Sequence, residues 1–108
     1  MERIYNKLVR DNIPNIIKSK GETPVTRILS EDEYKNELEK KLYEEYKEVI
    51  EASDRIEELA DMLEIINALA KIESKTLDNV ILVAEQKNEK RGAFNEKIFL
   101  EKVIESNK

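Results

Sequence analysis

The sequence predicts an all-α fold: an antiparallel helical hairpin within a four-helix-bundle-like core, in a single domain spanning residues 1–108. Two features of composition and one of pattern point there. Hydrophobic and charged residues each make up 40% of the chain, the mixture amphipathic helices need, and only 2 Gly and 2 Pro punctuate its 108 residues, too few for many short strands joined by turns. Apolar residues also recur at helical spacing through the middle of the chain. A chain of this length buries one modest core.

Met1 to Arg10 is mixed and reads as extended. Asp11 or Asn12 caps a short helix with Pro14 in its first turn, where the missing N–H costs little, and Gly21 ends it. Thr23 to Leu29 contains Pro24 and β-branched residues and reads as a loop or a short edge strand. Ser30 with Glu33 makes a capping box, after which Tyr34, Leu38, Leu42, Val49 and Ala52 mark a long helix over about residues 31 to 52. Ser53 and Asp54 break it. Ile56, Leu59, Met62, Leu63, Ile66, Leu69 and Ala70 define a second helix to about Glu73, antiparallel to the first because the turn is short. Ser74 or Thr76 caps a third helix through Val80, Val83 and Ala84 to Arg91, with Gly92 as its stop. Ala93 to Ile104 reads equally as a short strand or a terminal helix.

The composition excludes whole classes of chemistry. With no Cys there is no disulfide, thiol nucleophile or thiolate metal site, and with no His there is no imidazole base. Gly21 and Gly92 supply neither a Walker-type phosphate loop nor a dinucleotide fingerprint. An enzyme built from this chain must work with carboxylates. No apolar run approaches a membrane span and the first residues lack a signal-peptide segment, so the expectation is a cytoplasmic protein with no membrane partner. A net charge of −5 argues against general nucleic-acid binding.

The informative residues are acids placed where a helix should be apolar. At about 100° per residue, with Leu38 at zero, Val49 falls near 20° and Glu45 near 340°, so Glu45 sits within the buried stripe; Glu48, near 280°, lies at its edge, while Glu44 and Glu51 point away. In the second helix, with Leu59 at zero, Glu58 and Asp61 fall near 260° and 200°, in line with Ile65, Ala68 and Ile72 on a second face that the pattern assigns to coverage by other helices. Register adds a separate constraint. Glu48 and Glu58 are equidistant from residue 53, and so are Glu45 and Asp61, which makes the four acids level in pairs across the hairpin. Four carboxylates held together repel and need countercharge, and an all-oxygen set selects a hard ion, Mg²⁺ or Mn²⁺. The alternative is a set of solvated surface acids, since in so acidic a chain a pair at any one spacing arises by chance roughly five times.

Glu44-Glu45-Tyr46-Lys47-Glu48 followed by Glu58-Leu59-Ala60-Asp61 resembles the EExxE…ExxD signature of the all-α nucleotide pyrophosphohydrolase superfamily, which includes MazG, dimeric dUTPases and phosphoribosyl-ATP pyrophosphohydrolase. The opening Tyr5-Asn6-Lys7-Leu8-Val9-Arg10-Asp11-Asn12-Ile13-Pro14 and the late Lys90-Arg91-Gly92-Ala93-Phe94 resemble a small MazG-like, house-cleaning branch of it. Asn12, where that branch usually has Lys, and Ala93, where a second Gly is common, are departures. The resemblance implies hydrolysis of a nucleoside triphosphate to the monophosphate and pyrophosphate, with Glu45, Glu48, Glu58 and Asp61 holding Mg²⁺ or Mn²⁺ and one of these acids, or Glu44, orienting the attacking water. Phosphate-binding candidates are Lys7 and Arg10 in the first motif and Lys87, Lys90 and Arg91 near the end of the third helix. Arg10 and Arg91 are preferred because guanidinium matches phosphate bidentately, although cations at a helix end also suit its dipole. Phe94 or Tyr5 is placed to stack on a base or to join the core.

The second long helix is apolar over most of its circumference, which predicts a symmetric partner, and the resemblance implies a homodimer or homotetramer. Two other functions compete with the house-cleaning activity: phosphoribosyl-ATP pyrophosphohydrolase, and a non-enzymatic helical dimerisation or regulatory module.

Overall fold

A computed structural model describes residues 1–106, and over them the chain is all-α. Four helices follow in order: α1 (Ile13–Ser19), α2 (Glu31–Glu51), α3 (Ile56–Ile72) and α4 (Leu77–Arg91). They divide between two compact units, Met1–Leu77 and Asp78–Lys108. No helix among the described residues is long and apolar enough to cross a membrane.

In the first unit, α1 starts with Pro14 in its first turn and ends in a Schellman arrangement. Gly21 N–H donates to Lys18 O at 3.0 Å and Glu22 N–H to Ile17 O at 3.3 Å, with Gly21 at φ +82°. The 30–33 capping box forms as the sequence predicts. Glu33 N–H donates to Ser30 Oγ at 3.3 Å and Ser30 N–H to Glu33 Oε1 at 3.2 Å, while Arg27 places both guanidinium nitrogens on the Glu33 carboxylate and holds its pKa down at about 2. That fork ties the segment before α2 to the helix start. Residues 23–29 form no strand and run as an irregular approach to the cap, tied to it by the Arg27–Glu33 pair.

α2 and α3 pack together as the predicted antiparallel hairpin. Its turn is set by Ala52 in extended conformation and by Asp54 Oδ1, which accepts from Ile56 N–H at 3.1 Å. At the far end Ser74 adopts φ +58° so that its N–H reaches Lys71 O at 3.0 Å and Lys75 N–H reaches Ala70 O at 2.9 Å. This is the same closure that Gly21 makes, carried here by a residue with a Cβ.

The buried core is small: Leu38 on α2, Ile65 and Ala70 on α3. Leu42, Glu45, Val49 and Ala52 are half-buried beside Leu38, as the α2 stripe requires. On α3 the second apolar face is covered, as the pattern expects, and Ala70, nearly in phase with Leu59, is buried with it. The face of Glu58, Ile65 and Ile72 turns into the hairpin, and Leu59 and Leu63 stay 45% and 48% exposed. Periodicity alone does not rank two apolar faces of one helix.

The second unit continues α4 to Arg91, where Gly92 at φ +81° donates its N–H to Asn88 O at 2.9 Å and stops the helix as predicted. Residues 93–106 contain neither the strand nor the helix that the sequence left open, and the described residues contain no strand at the N-terminus either.

Candidate metal centre

The half-buried position of Glu45 in the α2 stripe aims its side chain at α3. One turn on, Glu48 lies at the edge of the same stripe, and the first turn of α3 supplies Glu58. One carboxylate oxygen from each of Glu45, Glu48 and Glu58 falls within 4.8 Å of the others. Glu45 Oε2 is buried and has no hydrogen-bond partner among the described residues. An orphaned carboxylate oxygen inside a trio of acids is a costly arrangement, and it leaves an acceptor free for a cation.

The electrostatics follow from that crowding. Burial, and then the charges of Glu48, Asp61 and Glu58, push the Glu45 carboxyl up to about 7. Glu58 is also raised, chiefly through hydrogen bonding with Glu48, then by desolvation and by the charges of Glu48 and Asp61. The donor set is oxygen only, which suits Mg²⁺ or Mn²⁺ and not a thiophilic ion. These residues fit a hard divalent cation.

Asp61, the fourth predicted ligand, is close enough for its charge to act on Glu45 and Glu58, but its oxygens do not belong to the 4.8 Å trio. Its Oδ1 accepts from Arg10 Nη2 at 2.8 Å. Arg10 therefore reaches α3 one turn from Glu58. Local pattern carries no signal of this pairing, because Arg10 lies before α1 and Asp61 lies within α3.

Within the first unit, Glu44 and Lys7 do not belong to the trio. Glu44 is exposed and outside it, as its phase on α2 requires. Lys7 holds its ammonium 5.4 Å from the centre of the Tyr5 ring, and both residues line an open groove of about 620 Å³ that also takes in Lys40, Lys41, Tyr43 and Glu44. The sequence singled out Lys7 and Tyr5 but not this groove. In the second unit Lys87, Arg91 and Phe94 line a separate hollow of about 440 Å³, and Lys90 lies in the last turn of α4.

No family model matches the chain, and no solved structure matches it. A protein of Mycolicibacterium smegmatis (strain ATCC 700084 / mc(2)155) named only as uncharacterized is 51% identical over 49 residues, covering 45% of this chain and 50% of its own length. The match thus spans about half of each protein.

Proposed function

We propose that the chain is a MazG-like, Mg²⁺-dependent nucleoside triphosphate pyrophosphohydrolase of the house-cleaning type, releasing pyrophosphate and a nucleoside monophosphate. The observation that carries the reading is the convergence of Glu45, Glu48 and Glu58 from two helices around the orphaned Glu45 Oε2. An unpaired oxygen buried among like charges is costly, and a bound cation offsets that cost at pH values where a proton does not. The signature-like spacing of these acids and the opening Tyr5–Pro14 segment supply the reaction class.

Glu45, Glu48 and Glu58, with Asp61, would hold Mg²⁺ or Mn²⁺. Such an ion supplies countercharge to phosphate oxygens and lowers the pKa of a water. Arg10, which pairs with Asp61, would bind phosphate through its planar donors. Water attacks the α phosphorus, the bond from that phosphorus to the bridging oxygen breaks, and pyrophosphate leaves with the electron pair. A carboxylate of the acid group takes the water's proton; Glu44, exposed outside the group, is the weaker candidate.

The same reading includes a homodimer or homotetramer. Tyr43, Tyr46 and Ile50 of α2 and Ile56, Leu59 and Leu63 of α3 are all exposed. Projecting both helices outward from their contact places these six residues on one side of the hairpin, with Leu59 about 160° around α3 from Asp61. A second hairpin seated there completes a four-helix arrangement and leaves the acids open on the opposite side. This apolar face also favours the second reading, a dimerisation module without activity.

A panel of nucleoside triphosphates together with phosphoribosyl-ATP, assayed for pyrophosphate with and without Mg²⁺, tests the proposal. Mg²⁺-dependent release from a nucleoside triphosphate, lost in E45Q, supports it. Release from phosphoribosyl-ATP alone assigns the chain to that narrower enzyme, and no release from any substrate favours the module.

A further inference from the structure

Arg10 and Asp61 are joined by one nitrogen and one oxygen at 2.8 Å, and both side chains are largely open to solvent, 58% and 44% exposed. An exposed, single-pronged pair of this kind is weak and readily exchanged for a stronger partner. Asp61 stands beside the acids on α3, one turn beyond Glu58, yet outside the trio whose oxygens approach within 4.8 Å. Its partner is the guanidinium.

We propose that Arg10 and a divalent cation compete for Asp61. The inference rests on the metal-dependent reading above. In the metal-free protein Arg10 provides part of the countercharge that the crowded acids need, and holds Asp61 aside. When the acids take up a hard cation, Asp61 leaves Arg10 and joins Glu45, Glu48 and Glu58. The guanidinium is then released next to the site with its donors free for a phosphate. Arg10 thus acts as a positioning residue for Asp61, and cation loading and presentation of a phosphate-binding group become one event. A guanidinium needs no change of protonation to make this exchange.

The test measures Mn²⁺ binding to the full chain without nucleotide, by electron paramagnetic resonance of the free ion, in wild type, R10Q, K7Q, D61N and R10Q/D61N. Competition predicts that R10Q tightens Mn²⁺ about two- to fivefold, the range an exposed ion pair supplies. K7Q removes the same charge from the same segment, but its ammonium lies over Tyr5, so its affinity should stay near wild type. In the D61N background the Arg10 substitution should have no further effect, since the contested carboxylate is already gone. Equal tightening by R10Q in both backgrounds, or by K7Q as much as R10Q, identifies a long-range charge effect and overturns the proposal. So does unchanged or weakened binding in R10Q. Failure of wild type to bind Mn²⁺ removes the metal-dependent reading itself, and the competition with it. Circular dichroism of each variant establishes that the helices are intact.

Discussion

Glu48, near the end of α2, and Glu58, in the first turn of α3, face each other across the hairpin so closely that hydrogen bonding between them is the largest influence raising the Glu58 pKa. The contact of α2 with α3 that buries Leu38 and Ile65 also sets the spacing of the backbone positions from which the two carboxylates project. The packing that makes the hairpin therefore creates an electrostatic cost that protons or a cation can relieve.

Protonation gives the first prediction. Glu45 is raised to about 7 in the folded chain, against an ordinary carboxylate value in the unfolded one, so the folded state binds more protons between those two values. Stability of the metal-free protein should then rise as pH falls from 8 to 5.5. Glu33, held down at about 2, does not interfere, because its stabilising contribution is fully present above the ordinary carboxylate range and is lost only at lower pH. Thermal melts at pH 5.5 and 8 check this. The slope should flatten in E45Q, which should also melt higher than wild type at pH 8.

A cation relieves the same repulsion by another route. Millimolar Mg²⁺ should raise the melting temperature at pH 8 and do so less at pH 5.5, where protons already occupy the acids. An increment independent of pH, or one that persists in E45Q, would place the ion elsewhere.

The hairpin was legible in the sequence because its determinants are local. The Ser30–Glu33 box, Pro14 in the first turn of α1, the break at Ser53–Asp54 and the stop at Gly92 each act within a few residues. The acid cluster was legible because phase and register on two helices are also short-range quantities. Less could be read where two outcomes share one pattern: the Leu59 and Ile65 faces of α3 are both apolar, and while the Ile65 face is covered as expected, only tertiary packing leaves Leu59 and Leu63 exposed. The Arg10–Asp61 pair depends on how the segment before α1 returns to the hairpin. No periodicity encodes that path.

Exposure of the Leu59 face leads to a prediction about assembly. Light scattering of the purified chain at micromolar concentration should give at least twice the 12.7 kDa chain mass. A charged residue at the middle of the face, L63E, should yield a monomer with the Glu45 cluster intact. A wild-type monomer would contradict the shared face.

Ser74 offers a stability test away from the site. Its φ of +58° costs a residue with a Cβ about 1–2 kcal/mol, partly offset by the lower unfolded-state entropy of Ser relative to Gly. S74G should stabilise the chain by about 0.5–1 kcal/mol in denaturant melts. A loss of stability would mean that the Schellman closure of α3 is not formed as described.

Whether acids on two helices direct water to the α phosphorus of a nucleoside triphosphate, as proposed, is tested most directly by phosphorus NMR of the products formed in ¹⁸O-labelled water with Mg²⁺. The proposed chemistry predicts pyrophosphate without label and a nucleoside monophosphate carrying the new ¹⁸O. Labelled orthophosphate with a nucleoside diphosphate as the primary products would show attack at the γ phosphorus and contradict the account.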